Sequence, residues 1–135
     1  MKILVTGNQG YIGSVLVPIL LNQRHEVVGY DIGYFKQCLL ESITGGITQI
    51  QKDIREVDRE DVEGIEAIIH LAALSNDPLG DLTPGLTEEI NYQGAVRLAK
   101  LAKSAGVKRF IYSSSQSMYG VSDTDLELDE DDLPP

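Results

Sequence analysis

Three glycines placed directly after a short apolar run constrain this chain more than any other feature. Ile3, Leu4 and Val5 run into Thr6-Gly7-Asn8-Gln9-Gly10-Tyr11-Ile12-Gly13, and an apolar segment of helical period comes next. The pattern predicts a strand, a tight turn and a helix. Gly7 lets the chain turn off the strand end, Gly10 lets a phosphate approach the backbone, and Gly13 lets the helix pack close to the sheet. The helix then offers its free N–H groups and positive dipole end to an anion. Glycine turns also end strands for structural reasons alone, so this turn gains weight only from the residues at the other strand ends.

The 135 residues are enough for one domain with a real core. Their apolar runs are too short to span a bilayer, so no membrane role is read. Met1-Lys2-Ile3-Leu4-Val5 reads as a first strand and not as a secretory leader. Cys38 is the single cysteine, which excludes an intrachain disulfide, fits a reducing compartment and gives a cytoplasmic reading. The net charge of −10 is concentrated late. Asp123, Asp125, Glu127, Asp129, Glu130, Asp131 and Asp132 lie beyond the last base, Arg109, and leave 14 acids against 11 bases in the rest. Residues 121–135 read as a solvated acidic loop or tail, and nothing basic points to nucleic acid. No metal site is predicted.

Strands are expected at Lys2–Val5, Glu26–Tyr30, Ile47–Gln51, Ala67–Leu71 and Arg109–Tyr112. The first helix is expected over Tyr11–Asn22, with Ile12, Val15, Leu16, Ile19 and Leu20 on its inner face. Pro18 should kink it, because the bond to the Ser14 carbonyl is lost. A short helix is expected around Gln37–Ser42 and another, highly charged, over Arg55–Val62. A long helix is expected over Pro84–Ala105, with Thr83 as N-cap and Gly106 as its stop. Its apolar stripe is Leu86, Ile90, Gly94, Leu98, Leu101 and Ala105. Alternating strands and helices, with near-continuous apolar strands, predict an α/β fold. It is a Rossmann-type, doubly wound parallel sheet in three αβα layers, order 3-2-1-4-5, with ligands at the carboxyl ends of the strands.

Each strand end carries a candidate. Asp31 closes strand two, where a carboxylate accepts bonds from both hydroxyls of an adenosine ribose and repels a 2′-phosphate. This favours NAD over NADP. Asp53-Ile54 comes after strand three: Asp53 either meets an adenine amino group, caps the segment at Arg55, or does both. His70-Leu71-Ala72-Ala73 ends strand four, with small residues that let a cofactor lie against the sheet and His70 read as a packed strand residue. Ser75, Asn76 and Asp77 read either as substrate contacts or as an ordinary polar loop. Ser113-Ser114-Ser115 comes after strand five, where a hydroxyl would lie near the nicotinamide.

Together with Asn91-x-x-Gly94 and Met118-Tyr119-Gly120, these motifs resemble the extended short-chain dehydrogenase/reductases of the NAD-dependent epimerase/dehydratase type, the relatives of UDP-glucose 4-epimerase. The resemblance covers essentially the whole chain. It implies that Gly7, Gly10 and Gly13 form the cofactor turn and that Tyr11 and Ile12 meet the pyrophosphate through their backbone. It places Asp31 on the ribose, Asp53 and Ile54 on the adenine, and Leu71, Ala72 and Ala73 on the cofactor's inner face. It makes Ser115 the active-site serine and turns Ser117 to the sugar, while Asn91 and Ser113 are read with the cofactor set and Ser75 with the substrate. Residues 1–120 would be the NAD-binding domain of an enzyme that transiently oxidises a hydroxyl of a nucleotide sugar, pairing into a homodimer through helix 84–105.

One family feature is absent. Tyr-x-x-x-Lys puts a lysine beside a tyrosine on one helix face, lowering the phenol pKa so that it acts as base. Here the residue four beyond Tyr112 is Gln116, and four beyond Tyr119 is Asp123. The expectation is therefore an N-terminal portion, lacking the later strands, inactive alone and exposing apolar surface. The alternative is a non-catalytic NAD-binding or redox-sensing module.

Overall fold

The structure, a computed structural model, describes residues 1–38, 46–75, 83–115, 129 and 131. Strand β1 (Lys2–Thr6) is succeeded by helix α1 (Tyr11–Asn22), β2 (Glu26–Asp31), β3 (Ile47–Gln51) and β4 (Ala67–His70). Helix α2 (Pro84–Thr87) runs on through a π-helical segment (Glu88–Gly94) into α3 (Ala95–Ala105), and β5 (Arg109–Tyr112) completes the sheet. All strand pairs are parallel and the order is β3-β2-β1-β4-β5, as expected.

The central strands β1, β2 and β4 are largely buried because both of their faces are covered. On one face Leu4, Val28, Tyr30 and Ile68 pack against Leu98 and Ala102 of α3 and against Ile54, Val57 and Val62. On the other, Ile3, Val5, Val27 and Ala67 pack against Val17 and Leu20 of α1. Leu98, fully buried, contributes about 2–3 kcal/mol.

Four expectations change. The inner face of α1 is Gly13, Val17 and Leu20, while Ile12, Val15 and Ile19 are exposed. Leu16 only packs against the edge of the core. The helix is apolar nearly all round, so its periodicity does not fix its phase. Gly13 does: a Cβ there would lie 2.3 Å from the Gly7 carbonyl oxygen, so this side must face inward. Pro18 lies within α1, which continues to Asn22.

The charged segment Arg55–Val62 is not one helix. It forms two 3₁₀ turns, Ile54–Glu56 and Glu60–Val62. Asp53 and Asp58 take over backbone N–H groups, with Oδ1 of each accepting from Arg55 N and Glu60 N respectively. Such side-chain bonds compete with helix continuation. Lys52 then bridges Asp58 and Asp61, at 2.6 and 2.8 Å.

Thr83 stands at the N-cap of α2, but its side chain makes no cap bond, and Pro84 at the first position removes one donor that needed it. The fourth change is the π-helical segment inside the long helix. Its stripe gains Ala102, and Gly106, at φ +77°, ends it as expected. Gly94 lets the segment approach Ile54, whose Cγ2 would lie 3.3 Å from a Cβ there.

The helix expected over Gln37–Ser42 lies mostly outside the described residues. So do Asn76, Asp77, Ser117, Met118-Tyr119-Gly120 and all of 121–135 except Asp129 and Asp131. Ile111 and Tyr112 of β5 and Ile12, Val15 and Ile19 of α1 are exposed. Among the described residues no helix is long and apolar enough to cross a membrane.

Candidate functional site

Because every strand is parallel, all five carboxyl ends meet at one sheet edge, where Gly7, Asp31, Asp53, Leu71 and Ser113 emerge. The ladder continues one residue past each pairing: Gly7 N–H donates to Tyr30 O, Lys52 N–H to Asp31 O, Leu71 N–H to Thr6 O and Ser113 N–H to His70 O. The candidate residues therefore leave a rigid edge and not a loose loop.

The turn after β1 needs Gly7 at φ +68°, and a Cβ there would lie 2.8 Å from Ala72 N. The end of β4 thus rests directly on the turn. Among the described residues, its chain neighbours aside, Gly10 has only the Gly7 oxygen within 4 Å of a Cβ position, so its outer side is open. Helix α1 begins there with no side-chain cap and no acid in its first turn. Tyr11 and Ile12 are exposed beside it.

Asp31 stands next to this turn. Its Oδ2 accepts from Gln9 N–H at 3.0 Å and its Oδ1 from Gly33 N–H at 2.8 Å. Each oxygen keeps a further acceptor site, so the carboxylate is fixed and still able to receive hydroxyls. Asp53 caps the turn at Arg55, and the Arg55 guanidinium also holds it, with Nη2 2.7 Å from Oδ2. That bond keeps the Asp53 carboxyl below its ordinary range. Arg55 reaches on to Glu89 in the π-helical segment. Tyr30 is buried and donates its hydroxyl to the Asp53 carbonyl. Burial, and then the charge of Asp61, pushes its phenol up, away from any role as base.

Thr6 and His70 tie the two central strand ends. Thr6 Oγ1 accepts from Leu71 N–H and Ala72 N–H, both at 3.2 Å, and lies 2.6 Å from His70 Nδ1. A hydroxyl that already accepts twice gives its own proton to Nδ1, so the hydrogen of this imidazole sits on Nε2. His70 Nε2 is buried with no hydrogen-bond partner among the described residues, and Tyr112 stacks on the ring at 5.7 Å. Burial pushes the imidazole down to about 4. This is the packed strand residue that was expected, and Thr6 is its partner.

Asn91 turns its amide to the loop after β4. Its Oδ1 accepts from Leu74 N–H and its Nδ2 donates to Leu74 O, both at 2.8 Å. It holds Leu71–Ser75 against the π-helical segment, and such segments recur at functional sites. Asn91→Ala is expected to cost about 1–2 kcal/mol, read as a lower urea midpoint at unchanged slope. An unchanged midpoint would refute the clamp. Ala73, Ser75 and Ser113–Ser115 are exposed at the same edge.

Sequence reasoning passed over Thr6, Asn8, Gln9 and Gln49. One signal was present: Gly29 inside an otherwise apolar strand marks a close approach. The approaching groups are the Asn8 and Gln49 amides, each 2.5 Å from a Cβ at that position.

A family model described as the NAD dependent epimerase/dehydratase family matches residues 3–135. A UDP-glucose 4-epimerase of Klebsiella pneumoniae is 40% identical over 129 residues, covering 89% of this chain and 93% of that protein. The UDP-glucose 4-epimerase of Bacillus subtilis (strain 168) is 36% identical over 135 residues, covering 92% of this chain and 39% of that protein. Among solved structures, MoeE5 in complex with UDP-glucose and NAD superposes with a TM-score of 0.85 at 32% identity. That match covers all of this chain and 42% of the MoeE5 chain. The chain thus spans about two fifths of the Bacillus and MoeE5 proteins.

Proposed function

The chain belongs to the NAD dependent epimerase/dehydratase family, and from that premise we propose that it binds NAD at the carboxyl edge of its sheet, as the cofactor half of a nucleotide-sugar epimerase or dehydratase. The observation that carries the reading is Asp31, a carboxylate fixed by two backbone N–H groups beside an open glycine turn. The edge fits the cofactor. Gly10 leaves the turn accessible and the first turn of α1 is uncapped, which suits a pyrophosphate. Asp31 suits a ribose diol and opposes a 2′-phosphate. Asp53 and Ile54 suit an adenine, although the Asp53 side chain is shared with Arg55. Leu71, Ala72 and Ala73 offer small groups along the inner face, held by Thr6 and Asn91.

Bound there, NAD supplies a hydride acceptor for a sugar hydroxyl carbon. Ser115, just past β5, would hold that hydroxyl, with Ser113 on the cofactor side and Ser75 and Ser117 toward the sugar. The proton needs a base, and none of the tyrosines in this sequence has a lysine four residues on. That absence favours a second reading, NAD binding without catalysis by these residues alone. Pairing of two chains through helix 84–105, whose outer face carries exposed Tyr92, belongs to the same proposal.

Calorimetric titration with NAD tests it. Asp31→Ala is expected to weaken binding about 30–100-fold, the loss of two charge-assisted hydrogen bonds. Affinity unchanged by that substitution would sink the assignment.

A further inference from the structure

We infer that the side-chain pair Asn8–Gln49 is a positioning clasp, which sets the glycine turn against Asp31 and so tunes affinity for the adenosine end of a dinucleotide. The inference rests on the NAD reading above. Asn8 lies between Gly7 and Gln9 and is fully buried. A buried amide needs partners. Its Nδ2 donates to Gln49 Oε1 at 2.8 Å, and Gln49 Nε2 donates back to Asn8 Oδ1 at 3.2 Å. Gln49 also donates to the Ile50 carbonyl, which fixes its own reach.

The pair closes over a gap that the sequence has cut for it. Gly29 of β2 is in register with Gln49 of β3, so both positions face the same side of the sheet. Any side chain at 29 would collide with both amides. The residues on either side of Asn8 are tied to β2 as well: Gly7 N–H donates to Tyr30 O and Gln9 N–H to Asp31 Oδ2. Gln49 therefore acts through Asn8 on the peptide that carries the Gln9 N–H, and that N–H aims the Asp31 carboxylate. Gln49 itself lies on an edge strand, in none of the motifs, and reaches the turn through this amide.

Gln49→Ala provides the test, because the residue is exposed on an edge strand and its loss opens no core. Titrations with NAD and with ADP, which carries the adenosine end alone, read the effect. Both affinities are expected to fall about tenfold in Gln49→Ala. Asn8→Ala is expected to match it, and the double variant to be no weaker than either single one, since one pair is being removed. In an Asp31→Ala background Gln49→Ala is expected to add nothing, an outcome that general destabilisation does not produce. NAD and ADP affinities unchanged in Gln49→Ala would overturn the clasp, as would an equal further loss in the Asp31→Ala background. If the unsubstituted chain binds neither NAD nor ADP, the NAD reading itself falls and takes the clasp with it.

Discussion

Gly13→Ala is expected to cost at least about 3 kcal/mol and to abolish NAD binding, the first read by urea denaturation and the second by titration. The added methyl would stand 2.3 Å from the Gly7 oxygen and 2.6 Å from Asn8 Cα. Both are backbone atoms, so no side chain can swing aside. The turn cannot retreat either, because Gly7, Asn8 and Gln9 are each bonded to β2 or β3. Overpacking a well-filled site ordinarily costs about 1–3 kcal/mol, and a clash with tethered backbone belongs at or above the top of that range. Gly10→Ala makes the control. Its methyl would meet one atom, the Gly7 oxygen, at 3.3 Å. That variant is expected to keep its stability within about 1 kcal/mol and still lose cofactor affinity, because the methyl fills the space a phosphate would use. Wild-type stability in Gly13→Ala would show that α1 can slide off the turn.

His70 makes the second large effect, as a dependence on pH. The buried imidazole has its pKa pushed down to about 4, while an unfolded histidine titrates near 6.5. The unfolded chain thus takes up a proton over a range where the folded chain refuses it. Stability is fully present above about pH 6.5 and is lost as pH falls toward 4. The loss from this one group should reach about 1 kcal/mol near pH 5.5 and about 3 kcal/mol by pH 4. Asp53, Asp58 and Glu66, whose carboxyls are held below their ordinary values, add their losses at lower pH. Urea denaturation of the wild type and of His70→Asn at several pH values separates the two windows. Asparagine keeps an acceptor for Thr6 Oγ1 but does not titrate, so its profile should be flatter between about pH 6.5 and 4. An identical slope in the variant would assign the effect to another group.

The central strands were legible because a parallel sheet buried on both faces demands continuous apolar runs such as Ile3, Leu4 and Val5, while the edge strands Ile47–Gln51 and Arg109–Tyr112, mostly exposed, were bounded correctly without such a run. Asp31 was legible for another reason: sequence order alone brings the end of β2 beside the glycine turn once the order 3-2-1-4-5 is adopted. The inner face of α1 was not, since apolar residues surround the helix and only the close approach at Gly13 breaks the tie. The Arg55–Val62 segment misled because its charges satisfy helix propensity, whereas Asp53 and Asp58 spend them on backbone N–H groups. The bonds of Asn8 to Gln49, Thr6 to His70 and Asn91 to Leu74 join residues far apart in the chain. Gly29 marks the first of them, and no local pattern announces the other two.

The central place of β1 also bears on how the chain is made. Its first strand pairs on one side with β2, Ile3 opposite Val27, and on the other with β4, Ile3 opposite Ala67. Closing the longer loop costs only about 1 kcal/mol more than closing the shorter one. During synthesis, however, β1 and β2 can join long before residue 67 exists. Through that interval β1, nearly all buried in the finished sheet, has one open edge, the condition under which chains pair with the wrong neighbour. The arrival of β4 closes that edge, and Thr6 then fastens it to Leu71 and Ala72.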